Sequence, residues 1–229
     1  MTEQTPQEKR RLTLPREQVF TAAMAGSDIQ RAFLLKSRLV FAIGIAIGLL
    51  AMWLGAALVE ERLMHLLRWP LLGVGLLLWA SGPALGRGRM WADAALFFAA
   101  WALIGGGVGC MVGESVERDL LLNPTLLLGV LLLGLLVNTR LRKRPAAPAV
   151  EFLGLLPWLI AAVAATWFFP AGEWPLALSG AAGLLLAATL AASGERALGA
   201  FTPGESVRAG TAALSLCLQS GWERLRGSV

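Results

Sequence analysis

Apolar runs of membrane length recur along this chain, and clusters of charge separate them. A helix needs about 20 largely apolar residues to cross a hydrocarbon core, because each residue advances it by roughly 1.5 Å. Six runs reach or approach that length, at residues 39–59, 69–85, 90–112, 120–137, 152–169 and 174–192. A seventh, at 207–218, is shorter and carries Arg208 with several small or hydroxyl residues. The pattern predicts an all-α fold: a polytopic membrane helix bundle of six firm transmembrane helices plus a seventh short or re-entrant C-terminal helix. Composition agrees, since 56% of the residues are hydrophobic and 15% charged, whereas a soluble domain carries about 25% charge to wet its surface. Water-soluble enzymes are excluded on this ground. Nucleic acid is excluded as a partner too, because the basic residues behind the net charge of +5 alternate with spanning segments and form no continuous patch.

The same basic residues predict an orientation, since Lys and Arg are retained on the cytoplasmic side of short loops. Lys9, Arg10, Arg11, Arg16, Arg31, Lys36 and Arg38 precede the first run; Arg87 and Arg89 join the second to the third; Arg140, Arg142, Lys143 and Arg144 join the fourth to the fifth; Arg196, Arg208, Arg224 and Arg226 follow the sixth. With the N-terminus cytoplasmic, 17 of the 20 basic residues face that side, and Arg62, Arg68 and Arg118 face the other. Glu60, Glu61, Glu114, Glu117, Asp119 and Glu173 make the opposite loops acidic. Trp69, Trp91, Trp167, Trp174 and Trp222 lie near run ends, where amphipathic rings favour the interface. Residues 1–37 read as a cytoplasmic N-terminal tail, and residues 38–229 as the membrane helix bundle. Within the tail, Val19, Phe20, Ala23 and Met24 suggest an interfacial helix on the leaflet, followed by a helix capped by Ser27 or Asp28 that feeds the first span. So polar a start argues against a cleaved signal peptide.

Small residues suggest how the helices meet. Gly44 and Gly48 form a GxxxG pair, and Gly105, Gly106, Gly107 and Gly109 form a dense patch in the third run. In lipid, such positions let backbones approach closely. Ionisable groups at the edges of apolar runs are few, and burying one is costly. Asp93 lies three residues into the third run, within reach of Arg89 or the headgroups; Glu195 follows the sixth beside Arg196; Arg208 opens the seventh after Glu205. Cys110 and Cys217 lie in apolar surroundings and read as packing residues. His65 has no second ligand at helical spacing, so no metal is expected. No serine, cysteine or carboxylate is paired with a base, so no enzymatic activity and no cofactor are expected. Pro157 falls inside the fifth run and should kink it.

Taken together, a basic N-terminus, a basic loop after the fourth run, Ser193-Gly194-Glu195 at the end of the sixth, and Gly204-Glu205-Ser206-Val207-Arg208-Ala209 before Leu214-Ser215-Leu216-Cys217-Leu218 resemble the Bax-inhibitor family. The similarity is closer to its bacterial branch, whose members modulate the membrane-anchored ATP-dependent protease that degrades membrane proteins. The resemblance implies a seven-helix bundle in the bacterial inner membrane, with a buried carboxylate pair closing a pore in some relatives. Glu195 matches one acid of that pair. The position of the other is Gln219, which cannot ionise, and a lone carboxylate cannot share a proton with a like-charged neighbour. The expectation is therefore a non-enzymatic protein that binds the lipid bilayer and another integral membrane protein or complex. The alternatives are an accessory or assembly subunit of a large energy-transducing or photosynthetic complex, or a small channel or transporter. The candidate functional residues are Glu195, Arg208, Gln219 and Asp93.

Overall fold

A computed structural model describes residues 21–85, 89–115, 122–142, 147–166 and 173–213. These residues are helical, with α1 at Ser27–Leu58, α2 at Glu61–Leu85, α3 at Met90–Ser115, α4 at Leu122–Leu141, α5 at Pro148–Thr166, α6 at Glu173–Ala200 and a short α7 at Ser206–Thr211. Three helical stretches, Ser27–Leu58, Arg62–Ser81 and Met90–Val112, are long and apolar enough to cross a membrane, and Thr125–Leu141 and Pro148–Ala164 are shorter apolar helices. The protein is thus an all-helical protein with candidate membrane spans.

α1 has 32 residues and is about 48 Å long at roughly 1.5 Å per residue, well beyond a hydrocarbon core of about 30 Å. It runs unbroken across residues 37 and 38, where the sequence suggests a junction between tail and bundle. Its N-cap is Gly26, which makes no side-chain bond, so neither Ser27 nor Asp28 serves as the cap; Asp28 instead lies in the first turn, where a carboxylate complements the helix dipole. Just upstream, Ala22–Met24 forms a single 3-10 turn, while Val19 and Phe20 of the expected leaflet helix lie outside the described residues. Ala22 is fully buried and its amide donates to Phe201 O at 2.8 Å, so this turn is pinned to the end of α6.

α3 lies between α1 and α2. Its glycines make that possible: a Cβ on Gly105 would strike the backbone of Gly48, one on Gly109 would strike that of Met52, and one on Gly107 would come within 3.0 Å of Leu72 N. Gly44 on α1 receives the Phe97 ring, which meets Trp101 edge-on with centroids 6.2 Å apart. Gly106 differs, since a Cβ there would meet Leu71 Cδ1 at an ordinary 3.8 Å. The pairs Gly44 with Phe97, Gly48 with Gly105 and Met52 with Gly109 rise together, so α1 and α3 run parallel, and α2 returns between them in sequence.

α4, α5 and α6 complete the bundle around Phe41, Ile45, Leu131, Leu135, Leu155, Leu159 and Leu190. A second cluster at one end joins Ala22, Phe33, Leu34, Ala197, Leu198 and Ala209. The outer surface is apolar, with Leu50, Leu58, Leu66, Trp69, Leu77, Leu153, Ile160 and Leu185 exposed. Soluble monomers rarely present so much contiguous apolar area.

Candidate functional site

Alternating helix direction gathers the first half of α1, the start of α3, the end of α4, the start of α5 and the end of α6 at one end of the bundle. Two arginine-centred clusters form there. In the first, Arg38 of α1 is 6% exposed, and Glu151 and Thr139 are 9% and 6% exposed. Arg38 Nη2 donates to Glu151 Oε2 in a buried ion pair, and Nη1 donates to Thr139 Oγ1, whose own hydroxyl donates to Leu135 O at 2.6 Å. Glu151 lies in the first turn of α5, where the helix dipole favours an anion. Gly194 of α6 supplies the space: a Cβ there would lie 2.7 Å from Arg38 Nη2. Removing two charges from water is expensive, so such a pair persists only where geometry and hydrogen bonds compensate each partner. The cluster therefore ties α1, α4 and α5 together through a single side chain.

Beside it, Arg142 and Asn138 bind the backbone of α5. Arg142 Nη2 donates to Val150 O at 3.0 Å and Asn138 Nδ2 donates to Gly154 O at 2.8 Å. Gly154 O lies one residue past the carbonyl that Pro157, inside α5, leaves without its helical donor. Arg31 of α1 donates to Arg140 O at the end of α4.

The second cluster joins α3 to α7. Asp93, in the first turn of α3, has a side chain 8% exposed and accepts from Arg208 Nε at 3.0 Å through Oδ2. Arg208 Nη1 donates to Glu205 Oε1 at 2.8 Å, and Glu205 Oε2 accepts from the amide and hydroxyl of Thr202 at 3.1 and 2.9 Å. The bond from the Thr202 amide and the reciprocal one from the Glu205 amide to the Thr202 side chain form a capping box on the turn Pro203–Glu205. Backbone hydrogen bonding from Thr202, then its hydroxyl and the guanidinium of Arg208, hold the Glu205 carboxyl below its ordinary pKa despite some opposing desolvation. α7 crosses α1 at the level of the first cluster, with Gly210 packed directly on Ser37 O.

Two of the residues singled out from the sequence, Asp93 and Arg208, are thus bonded to each other, and the Asp93 amide donates to Arg89 O at 3.0 Å. Glu195 lies on the exposed side of α6, although its neighbour Gly194 is buried. α6 continues without interruption through Ser193-Gly194-Glu195 to Ala200, beyond the expected end at 192. Gln219, Cys217 and the rest of the 207–218 run after residue 213 lie outside the described residues. His65 is exposed, and no three His, Cys, Asp or Glu side chains converge as a metal site among the described residues. Arg38, Thr139 and Glu151 escape a reading that treats Arg38 only as an orientation signal. Each continues an apolar stripe: Leu34, Arg38, Phe41 and Ile45; Leu127, Leu131, Leu135 and Thr139; Glu151, Leu155, Leu159 and Ala162. Comparison with family models, with curated proteins and with solved structures gave no match to this chain.

Proposed function

We propose that this chain is a non-enzymatic integral membrane protein that acts by binding another membrane protein, as a Bax-inhibitor-type modulator of membrane-protein quality control. In this reading six helices span the bacterial inner membrane, a short seventh follows, and the N-terminus is cytoplasmic. The arginine-rich end described above is then the cytoplasmic one, in keeping with the retention of Lys and Arg on that side.

One observation carries the binding role. α2 packs chiefly on α3, with only 11% of its apolar window buried, and it exposes Leu63, Leu66, Trp69, Val74, Leu76 and Leu77. Helices associate in lipid through close packing and not through hydrophobic drive, so an outer helix that packs chiefly on one neighbour among the described residues offers a second helix a face. The buried carboxylates Glu151 and Asp93, by contrast, are engaged by Arg38 and Arg208. A channel gated by Glu195 gains no support from that residue's exposed position.

Affinity purification after mild solubilisation tests the proposal. The expected result is a stoichiometric membrane-protein partner that is lost when Leu66, Trp69 and Leu77 are replaced by alanine, with the helix content unchanged. Recovery of the chain alone from its native membrane refutes it.

A further inference from the structure

We propose that α2 carries a docking seam for one transmembrane helix of a partner protein, and that this helix presents a carboxylate opposite Arg62 and a bulky apolar side chain opposite Gly73. The inference rests on the reading of α2 as a binding face and gives that partner its chemistry. Arg62, Leu66, Trp69, Gly73, Leu76 and Ala80 follow one another at alternating steps of four and three residues, and all are exposed. That spacing is the contact line of a left-handed helix pair. From Arg62 to Ala80 the line runs for about 27 Å, close to the ~30 Å of a hydrocarbon core.

Gly73 marks the point of closest approach. Gly75 on the same helix has a reason within the chain, because a Cβ there would lie 2.8 Å from Ile104 Cγ1 of α3. A Cβ on Gly73 would meet nothing within 4 Å, although glycine weakens a helix relative to alanine. Exposed Trp69 precedes it by one turn, and exposed Leu76 and Leu77 follow it by one turn. The glycine is thus a notch between large side chains, and in lipid such a notch lets a neighbouring helix come close.

Charge supplies a second, independent constraint. Arg62 makes no ion pair among the described residues, and Glu60 and Glu61 fall off the register of the seam. A cation at one end of an otherwise apolar line is complemented by an anion at the same depth on the partner. The same features disfavour a second copy of this chain. Two copies inserted in one direction would meet about a two-fold axis with Arg62 against Arg62 and Trp69 against Trp69. The charges would repel, and the rings would hold the notches apart.

Synthetic single-span peptides test the seam against the full purified chain in one mild detergent at neutral pH, with binding read by fluorescence energy transfer. The probe is a polyleucine helix with one phenylalanine at its middle and one glutamate near an end, spaced as Gly73 is from Arg62; its companion carries glutamine in place of the glutamate. The glutamate peptide is expected to bind about fivefold tighter than the glutamine peptide, the upper range for an exposed ion pair. Arg62→Gln should remove that preference. Gly73→Leu should weaken both peptides by about tenfold, as overpacking at a close contact does, while leaving the chain's own thermal midpoint unchanged or raised, since nothing lies within 4 Å of the notch. Gly129→Leu, at an exposed glycine of α4 that also lacks neighbours, should leave binding unchanged. Absent or equal binding of the two peptides overturns the assignment, as does undiminished binding to the Gly73→Leu chain. A dimer of the chain that Gly73→Leu dissolves also overturns it, because the occupant is then a second copy. A native partner lost on alanine substitution of Leu66, Trp69 and Leu77, yet kept by both Arg62→Gln and Gly73→Leu, overturns this inference alone and leaves the binding role of α2 standing.

Discussion

Arg38 donates to Glu151 across the interface of α1 and α5, with both side chains closed to solvent to about nine parts in ten. The pair is satisfied on one side by Thr139 and accommodated on the other by Gly194. Removing either partner leaves a buried charge with nothing to answer it, which costs about 3–5 kcal/mol, whereas replacing both by apolar groups of similar volume is often neutral. Glu151→Leu and Arg38→Met are therefore each expected to lower stability steeply, and the double variant to recover most of the loss. Denaturant titration in a fixed detergent, arranged as a double-mutant cycle, measures the coupling. Simple additivity of the two losses contradicts the described pairing.

The bond between Asp93 and Arg208 is a looser tie, because the arginine side chain is 34% exposed and water screens it. Asp93→Asn keeps the shape but loses the ion pair, and about 1 kcal/mol of stability is expected to go with it after allowance for screening. The effect should be local. Amide exchange across residues 203–211 should quicken while α4 and α5 keep their protection; uniform loosening of the bundle argues against an independent latch.

A pH dependence follows from Glu205, whose carboxyl is held below its ordinary pKa first by the backbone amide of Thr202. A depressed folded pKa means that the contribution is complete above the unfolded value of about 4.3 and is lost as pH falls through the folded one. The turn Pro203–Glu205 and its bond to Arg208 should accordingly hold at neutral pH and release only as pH falls through the lowered folded value. Exchange rates at residues 202–208, corrected for intrinsic chemistry, report the release. Glu205→Gln should remove the acid-dependent step, and persistence of that step in the variant would assign it to another group.

Much of the helical architecture is legible in the chain, because apolar runs and their flanking charges obey solvent rules that act residue by residue. α3 shows this well: Met90 begins it as the apolar run does, and its glycines face the close contacts expected of small residues. The ends of elements are less legible. Gly26 replaces Ser27 or Asp28 as the cap, and α6 passes through Ser193-Gly194-Glu195 because buried Leu190, Ala191, Ala197 and Leu198 continue its inner face. The first arginine cluster is the instructive omission. Lys and Arg near a run end are ordinarily orientation signals, and only helical register distinguishes Arg38, in line with Leu34 and Phe41, from exposed Lys36. Its partners come from residues 139 and 151, about a hundred positions away, so the match between them exists only once α4 and α5 are in place.

Register also separates glycines that look alike in the sequence. Gly105 and Gly106 are adjacent, yet a Cβ on Gly105 would strike the Gly48 backbone, while one on Gly106 would rest 3.8 Å from the end of a leucine side chain. Gly105→Ala must push α1 and α3 apart, an overpacking strain of about 1–3 kcal/mol that outweighs the gain in helix propensity. Gly106→Ala meets no such barrier and gains up to about 1 kcal/mol of helix propensity over glycine, so it should be neutral or stabilising. Thermal midpoints of the two variants in one detergent provide the comparison. A lowered midpoint for Gly105→Ala beside an unchanged or raised one for Gly106→Ala supports the described contact between α1 and α3, and equal effects of the two substitutions exclude it.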